Sequence, residues 1–336
     1  MPTPSQQSGT PRSVQMIDPA ALMRIKSLEL RARTVVEGFW HGTHRSPFHG
    51  FSAEFTEYRA YTPGDDLRYL DWGVYARSDR FCIKKFEDET NLRCYLLVDQ
   101  SKSMSYGSMA DESDEPDAGG YSKTQYANTL AATLAYFLNQ QGDAVGLMTF
   151  DDAITDYLPA KSRARHLKQI MLSLGKPSHG RATDVGLPLR RIAELVRRRA
   201  MIVLVSDLLT PIDSLSQQLS YLRACGHEVA VFQTLDPAEM SFAFDDAAVY
   251  RDLETEQDWF VDPEAIKDSY QSKLNAHLAS IESICAGLGM MYQQVQTDQP
   301  LEAALFDFLQ SRMRRGRLTR VASSGSHAGS AVGGSS

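Results

Sequence analysis

At 336 residues, with 43 % hydrophobic and 23 % charged side chains, the chain has the composition of an ordinary globular protein with one large core plus additions, and not that of a coiled coil, a collagen or a disordered chain. A formal net charge of −7 argues against a protein whose main business is gripping nucleic-acid phosphates. Residues Met1 to Ala20 lack the apolar centre of a secretory signal, and no later run is long and apolar enough to span a membrane, so the expected location is the cytoplasm.

In chain order, 1–20 reads as a flexible N-terminus. Leu22, Ile25, Leu28, Leu30 and Val35 then mark a helix over 21–39, closed by Gly38. With the irregular Gly/Pro-punctuated stretch that follows, and a strand over Arg80 to Glu87, it makes an N-terminal helix and β-rich segment, 21–90. From Leu92 short apolar runs alternate with amphipathic stretches, the pattern of a mostly parallel sheet covered by helices on both faces. The runs are Cys94 to Val98, Val145 to Phe150, Met201 to Val205, Val229 to Phe232 and Met290 to Val295. Ile154 to Leu158 follows the Asp151-Asp152 turn at once and must pair back as one antiparallel strand.

Helix starts are written as clearly. Ser122 and Gln125 form a capping box before the stripe Tyr126, Leu130, Leu134, Phe137 and Leu138, with Gly142 to end it. Thr210 with Pro211 at the first helical position opens a second helix that stops near Gly226, and Asp262-Pro263-Glu264 opens a third. The expected fold is a doubly wound α/β domain over 91–314 with a small N-terminal β-rich attachment, followed by a flexible Gly/Ser-rich tail, 315–336. Cys82, Cys94, Cys225 and Cys285 are scattered without CxxC pairs and read as reduced, mostly buried thiols.

The chemistry concentrates where the first sheet strand ends, in Asp99-Gln100-Ser101-Lys102-Ser103. In open α/β sheets ligands bind at that carboxyl edge. Three oxygen-bearing side chains at alternate positions suit a hard cation such as Mg2+ or Mn2+. Alone, such a pentad is commonplace turn and cap chemistry. Thr183, after Gly180-Arg181-Ala182, and Asp207, ending the strand from Met201, add two more oxygen donors for the same ion.

With these five positions the chain resembles the von Willebrand factor type A (vWA) fold and its metal-ion-dependent adhesion site. The resemblance implies that the Ser and Thr hydroxyls contact the metal, that the two Asp act through water or hydrogen bonds, and that the ion is left ready for a partner's carboxylate. The strip Gly50 to Phe55, Arg59 to Arg68, Asp71-Trp72, Ala76-Arg77 and Lys85 to Glu87, with Asp252 to Thr255 and Thr297 to Leu301, resembles bacterial domain-of-unknown-function family 58 (DUF58) over about 40 to 314. That resemblance implies a short soluble form acting with a MoxR-type AAA+ ATPase, in protein remodelling or metal-cofactor assembly. Arg59, Asp66, Asp71 and Arg77 read as turn and packing residues, and Trp72 as a packing anchor.

Competing signals are weaker. His41, His44 and His49 have no Cys or carboxylate at zinc spacing, and Gly119 to Thr124 departs from a phosphate loop because Ser122 stands where a Gly should precede Lys123. A Mg2+-dependent phosphohydrolase needs an acid where Ser101 stands, so the expectation is a binding protein and not an enzyme, with a scaffold carrying a vestigial metal site as the other alternative. The acidic run Asp111 to Asp117 reads as a solvated loop, or as a source of a carboxylate for the metal.

Overall fold

A computed structural model describes residues 16–42, 57–60, 74–75, 77, 80–85, 92–108, 120–177, 185–242, 248–251 and 257–312. The chain divides into two compact units, 43–92 and the remainder.

In the larger unit the first helical segment is two helices rather than one. Asp18 accepts hydrogen bonds from the amides of Ala20 and Ala21 and Pro19 opens α1, Pro19–Met23. The Ser27 hydroxyl accepts from Leu30 N at 3.3 Å at the start of α2, Leu28–Gly42. Gly38 therefore sits inside α2 instead of ending it. A Cβ there would lie 3.1 Å from Ile17 Cδ1, so close packing, not chain termination, is what the glycine serves.

The smaller unit holds an antiparallel pair, β1 (Glu57–Ala60) with β2 (Cys82–Lys85), and Tyr75 stacks on Phe81. β2 falls within the strand expected over 80–87. Of the residues given turn or packing roles here, Asp66, Asp71 and Trp72 lie outside the described residues.

The central sheet follows. After β3 (Arg93–Asp99) come α3 (Lys123–Gln140), β4 (Ala144–Phe150), β5 (Ile154–Lys161), α4 (Ala164–Leu174), α5 (Gly186–Leu195), β6 (Met201–Ser206), α6 (Ile212–Ala224), β7 (Glu228–Leu235) and the short α7 (Pro237–Ser241). A hairpin of β8 (Ala248–Arg251) and β9 (Asp258–Val261) precedes α8 (Pro263–Gly287), β10 (Met291–Gln296) and a final helix, α9, over 301–312. Among the described residues the sheet has six strands in the order β10-β7-β6-β3-β4-β5, all parallel except β5, which pairs antiparallel with β4.

The sheet is buried on both faces, which is why its strands read as nearly continuous apolar runs. Tyr95, Leu97, Met148, Ile202, Leu204 and Val231 pack with Leu189, Leu215, Leu219 and Ile281 of α5, α6 and α8. The alternate residues Leu96, Val98, Leu147, Val203 and Phe232 are equally buried, with Phe232 against Phe308 of α9. On this side α3 packs on the strands and on α2, where Phe137 meets Phe39 and Trp40.

The Ser122 hydroxyl caps α3 by accepting from Gln125 N, and Gly142, with φ of 84°, closes it. α6 begins one residue later than expected. Pro211 is the flanking residue, with ψ of 125°, and no side chain caps the helix. Asp262 caps α8 through Glu264 N, as its sequence implied. Cys94 and Cys285 are free and buried, and burial pushes their thiols up to about 12 and about 11; Cys225 is free but exposed, at the end of α6. No helix among the described residues is long and apolar enough to cross a membrane.

Candidate metal centre

Strand order creates a crevice before any side chain is considered. From β3 the chain runs through α3 to β4 on one side, whereas from β6, on β3's other side, it runs through α6 to β7 and away. The helices that follow β3 and β6 cover opposite faces, so the two connecting loops part and leave a cleft at the switch point. Registration puts the right residues there. Val98 pairs with Val205 and Ser206 with Gln233, so Asp99 and Ser206, which end their strands, stand level with Gln233 near the end of β7.

Asp99 and Ser101 are fully buried, and Ser103, in a 3₁₀ turn over Ser103–Ser105, is half-buried. Both oxygens of Asp99 are used: Oδ1 accepts from Ser101 N at 2.9 Å and Oδ2 from the Ser206 hydroxyl at 2.6 Å. The Ser101 and Ser103 hydroxyl oxygens lie 3.1 Å apart. Two adjacent ligands of an octahedral Mg2+, each about 2.1 Å from the ion, stand roughly 3.0 Å apart, so this pair has the spacing of one octahedron edge. Among the described residues no group of three His, Cys, Asp or Glu side chains could hold a metal ion. Among the described residues, the oxygen donors gathered at this edge are the hydroxyls of Ser101, Ser103 and Ser206 and the carboxylates of Asp99 and Asp207.

Electrostatics favour a cation. Burial, then the nearby Asp207 carboxylate, push Asp99 up to about 7 despite hydrogen bonds from Ser206 and Ser101. Asp207, also fully buried, accepts from Leu209 N through Oδ1 at 3.3 Å and from Lys123 Nζ through Oδ2 at 3.0 Å. Lys123 lies in the first turn of α3 with no exposed side-chain surface, and its ammonium also donates to Glu239 Oε1 of α7 at 2.6 Å. Burial alone would lower its pKa, but Asp207 and Glu239 hold it above the ordinary lysine value. Glu239 is fixed in turn by a capping box, its Oε2 accepting from Asp236 N at 2.9 Å.

The backbone after β6 is strained and tied down. Leu208, buried, has φ of 56°, a left-handed conformation that costs a non-glycine residue about 1–3 kcal/mol. Its amide donates to Ser206 Oγ at 3.0 Å, and its carbonyl lies 2.8 Å from His277 Nε2 of α8. Gln233 Nε2 donates to Asp207 O at 2.8 Å while its Oε1 accepts from the Tyr292 hydroxyl at 2.6 Å.

The family described as "Protein of unknown function DUF58" matches residues 57–280, two thirds of the sequence. This chain belongs to that family. An uncharacterized protein of Mycobacterium tuberculosis, Rv1480, is 27 % identical to this DUF58 chain over 306 residues, covering 90 % of it and 92 % of the relative. A shorter uncharacterized protein of Mycobacterium avium, MAV169, is 28 % identical over 167 residues, 48 % of this chain and 96 % of that one. Among solved structures, BatB from Bacteroides thetaiotaomicron is similar at a TM-score of 0.42 and 14 % identity, covering 66 % of this chain and 99 % of that one. The SpRpn10 VWA domain is similar at 0.38 and 13 %, covering 64 % and 94 %.

Of the five positions read from the DUF58 sequence, Asp99, Ser101, Ser103 and Asp207 all stand at this sheet edge, with Asp99 and Asp207 close enough to couple. Thr183 lies outside the described residues, as do His44, His49 and the run 111–117. Sequence reasoning missed Lys123, Glu239, Gln233 and His277. Lys123 offered one clue: a cation in the first turn of a helix opposes the helix dipole and calls for a local anion.

Proposed function

We propose that this DUF58 protein is a metal-dependent protein-binding adaptor and not an enzyme. Ser101 and Ser103 would hold Mg2+ or Mn2+ through their hydroxyls, joined by Thr183, with Asp99 and Asp207 acting through water and hydrogen bonds. The ion would supply a Lewis-acidic position for a partner's carboxylate. The observation that carries the reading is the 3.1 Å spacing of the two hydroxyls beside buried Asp99, in a cleft where Ser103 remains partly open. The partner we assign is a MoxR-type AAA+ ATPase, its client protein, or both, in protein remodelling or metal-cofactor assembly. Lys123, the lysine of the segment that faintly resembled a phosphate loop, is committed to Asp207 and Glu239, which supports leaving ATP chemistry to the partner.

The experiment is capture of the ATPase from native lysate on immobilised protein with Mg2+, followed by chelator. Release by chelator, and no capture by Ser101→Ala/Ser103→Ala, is the expected result; capture indifferent to both removes the metal from the reading. The same preparations should not turn over p-nitrophenyl phosphate, because Ser101 stands where a phosphohydrolase places its acid. Mg2+-dependent turnover lost in Asp99→Asn would replace the adaptor with an enzyme.

A further inference from the structure

Lys123 is not part of the five-residue pattern, yet it reaches one of its members. Its ammonium, on a side chain with no exposed surface, lies 3.0 Å from Asp207 Oδ2 and 2.6 Å from Glu239 Oε1. The lysine is aimed from its own helix by two backbone ties: Lys123 N donates to Tyr106 O at 2.9 Å, and the Thr124 hydroxyl to Met104 O at 2.8 Å. These join the start of α3 to the loop that carries Ser101 and Ser103. Two cations therefore have a claim on a single carboxylate.

We infer that Lys123 is a resident cation of the metal centre, competing with the divalent ion for Asp207, and that Glu239 holds the ammonium in reach of that carboxylate. The inference rests on the metal-centre reading. Asp207 has two oxygens, one already turned to Leu209 N, and the other is the one Lys123 occupies. An ionised carboxylate has about four lone-pair sites, so Asp207 could serve Lys123 and a divalent ion held by the two serines at once, but sharing its charge would weaken its hold on each. The ammonium's charge also opposes the ion, and at an effective dielectric near 20 a charge a few ångströms away shifts an affinity by about tenfold or more. Glu239 offers a place to which Lys123 can retreat. Because that carboxylate belongs to the Asp236 cap of α7, a partner that disturbs α7 would alter metal affinity from outside the cleft.

The test is Mn2+ and Mg2+ titration calorimetry on the full chain at one pH, comparing wild type, Lys123→Met, and the double variant Lys123→Met/Glu239→Gln. The double variant has the net charge of the wild type, so the long-range field is matched and competition for Asp207 is what differs. It also keeps the question answerable if Lys123→Met alone, with two buried carboxylates facing each other, does not fold. Both variants should bind the metal about tenfold or more tightly than wild type. Metal bound by wild type with equal or lower affinity in the folded double variant overturns the inference and leaves the metal centre standing. Metal bound by the double variant and not by wild type supports the inference and removes metal dependence from the natural protein. Binding by neither overturns both.

Discussion

Burial and the neighbouring Asp207 push Asp99 up to about 7 from an ordinary value near 3.8, and this makes the chelated protein sensitive to pH in a definite direction. Between about 4 and about 7 the folded state keeps a proton that the unfolded chain has released. Stability therefore falls as pH rises through that window. Asp99→Asn is neutral at every pH and can still accept from Ser101 N. In chelator it should lose most of this slope and be the more stable protein at pH 8, while losing Mg2+ binding. Urea midpoints at pH 5 and pH 8 check this; parallel slopes in the two proteins would show that Asp99 does not titrate there.

At the scale of elements, the loop from β6 to α6 holds its shape through residues distant in sequence. Gln233 of β7 and Tyr292 of β10 form a short chain to the Asp207 carbonyl, and His277 of α8 faces the carbonyl of strained Leu208. Gln233→Leu fills the space but strands the Asp207 carbonyl and the Tyr292 hydroxyl. It should cost about 2–6 kcal/mol, at roughly 1–3 for each of the two polar groups left without a partner. Tyr292→Phe leaves the Asp207 tie in place and should cost less than half as much, with metal affinity kept. Equal losses in urea unfolding for the two variants would mean that the Asp207 tie contributes little.

The same elements explain what could be read in advance. Strands such as β3 and β6 are buried on both faces, so their residues are apolar without interruption and their ends are sharp: Asp99 follows β3's last apolar residue, and Asp207 follows Ser206 at the end of β6. One antiparallel strand was legible because only the Asp151-Asp152-Ala153 turn separates Ile154 from β4. The β8–β9 hairpin was not, for the opposite physical reason. Val249, Trp259 and Phe260 are exposed, so neither face alternates apolar with polar. Lys123 was invisible as a site residue because its partners lie 84 and 116 positions away, a distance that no local pattern spans.

For the molecule as a whole, the sheet's order places the carboxylate after β6, the hydroxyls after β3 and the lysine of α3 in one cleft, drawn from parts of the chain that only the fold brings together. An ion held by such a cleft has no counterpart site in the unfolded chain, so its binding must appear as global stability. At a free concentration one hundred times its dissociation constant, that linkage is worth about 2.7 kcal/mol. In a domain of 150–250 residues, each kcal/mol moves the melting temperature by about 2–4 °C. Chelated protein given saturating Mg2+ should therefore melt roughly 5–10 °C higher, whereas NaCl at matched ionic strength should not reproduce the rise. Ser101→Ala/Ser103→Ala keeps every charge in the cleft and removes only the two hydroxyls, so it separates ligation from a general preference for cations. If that variant shows the full Mg2+ shift, the hydroxyl edge is not where the ion sits. If it shows none while melting normally in chelator, the stabilisation belongs to the two serines after β3.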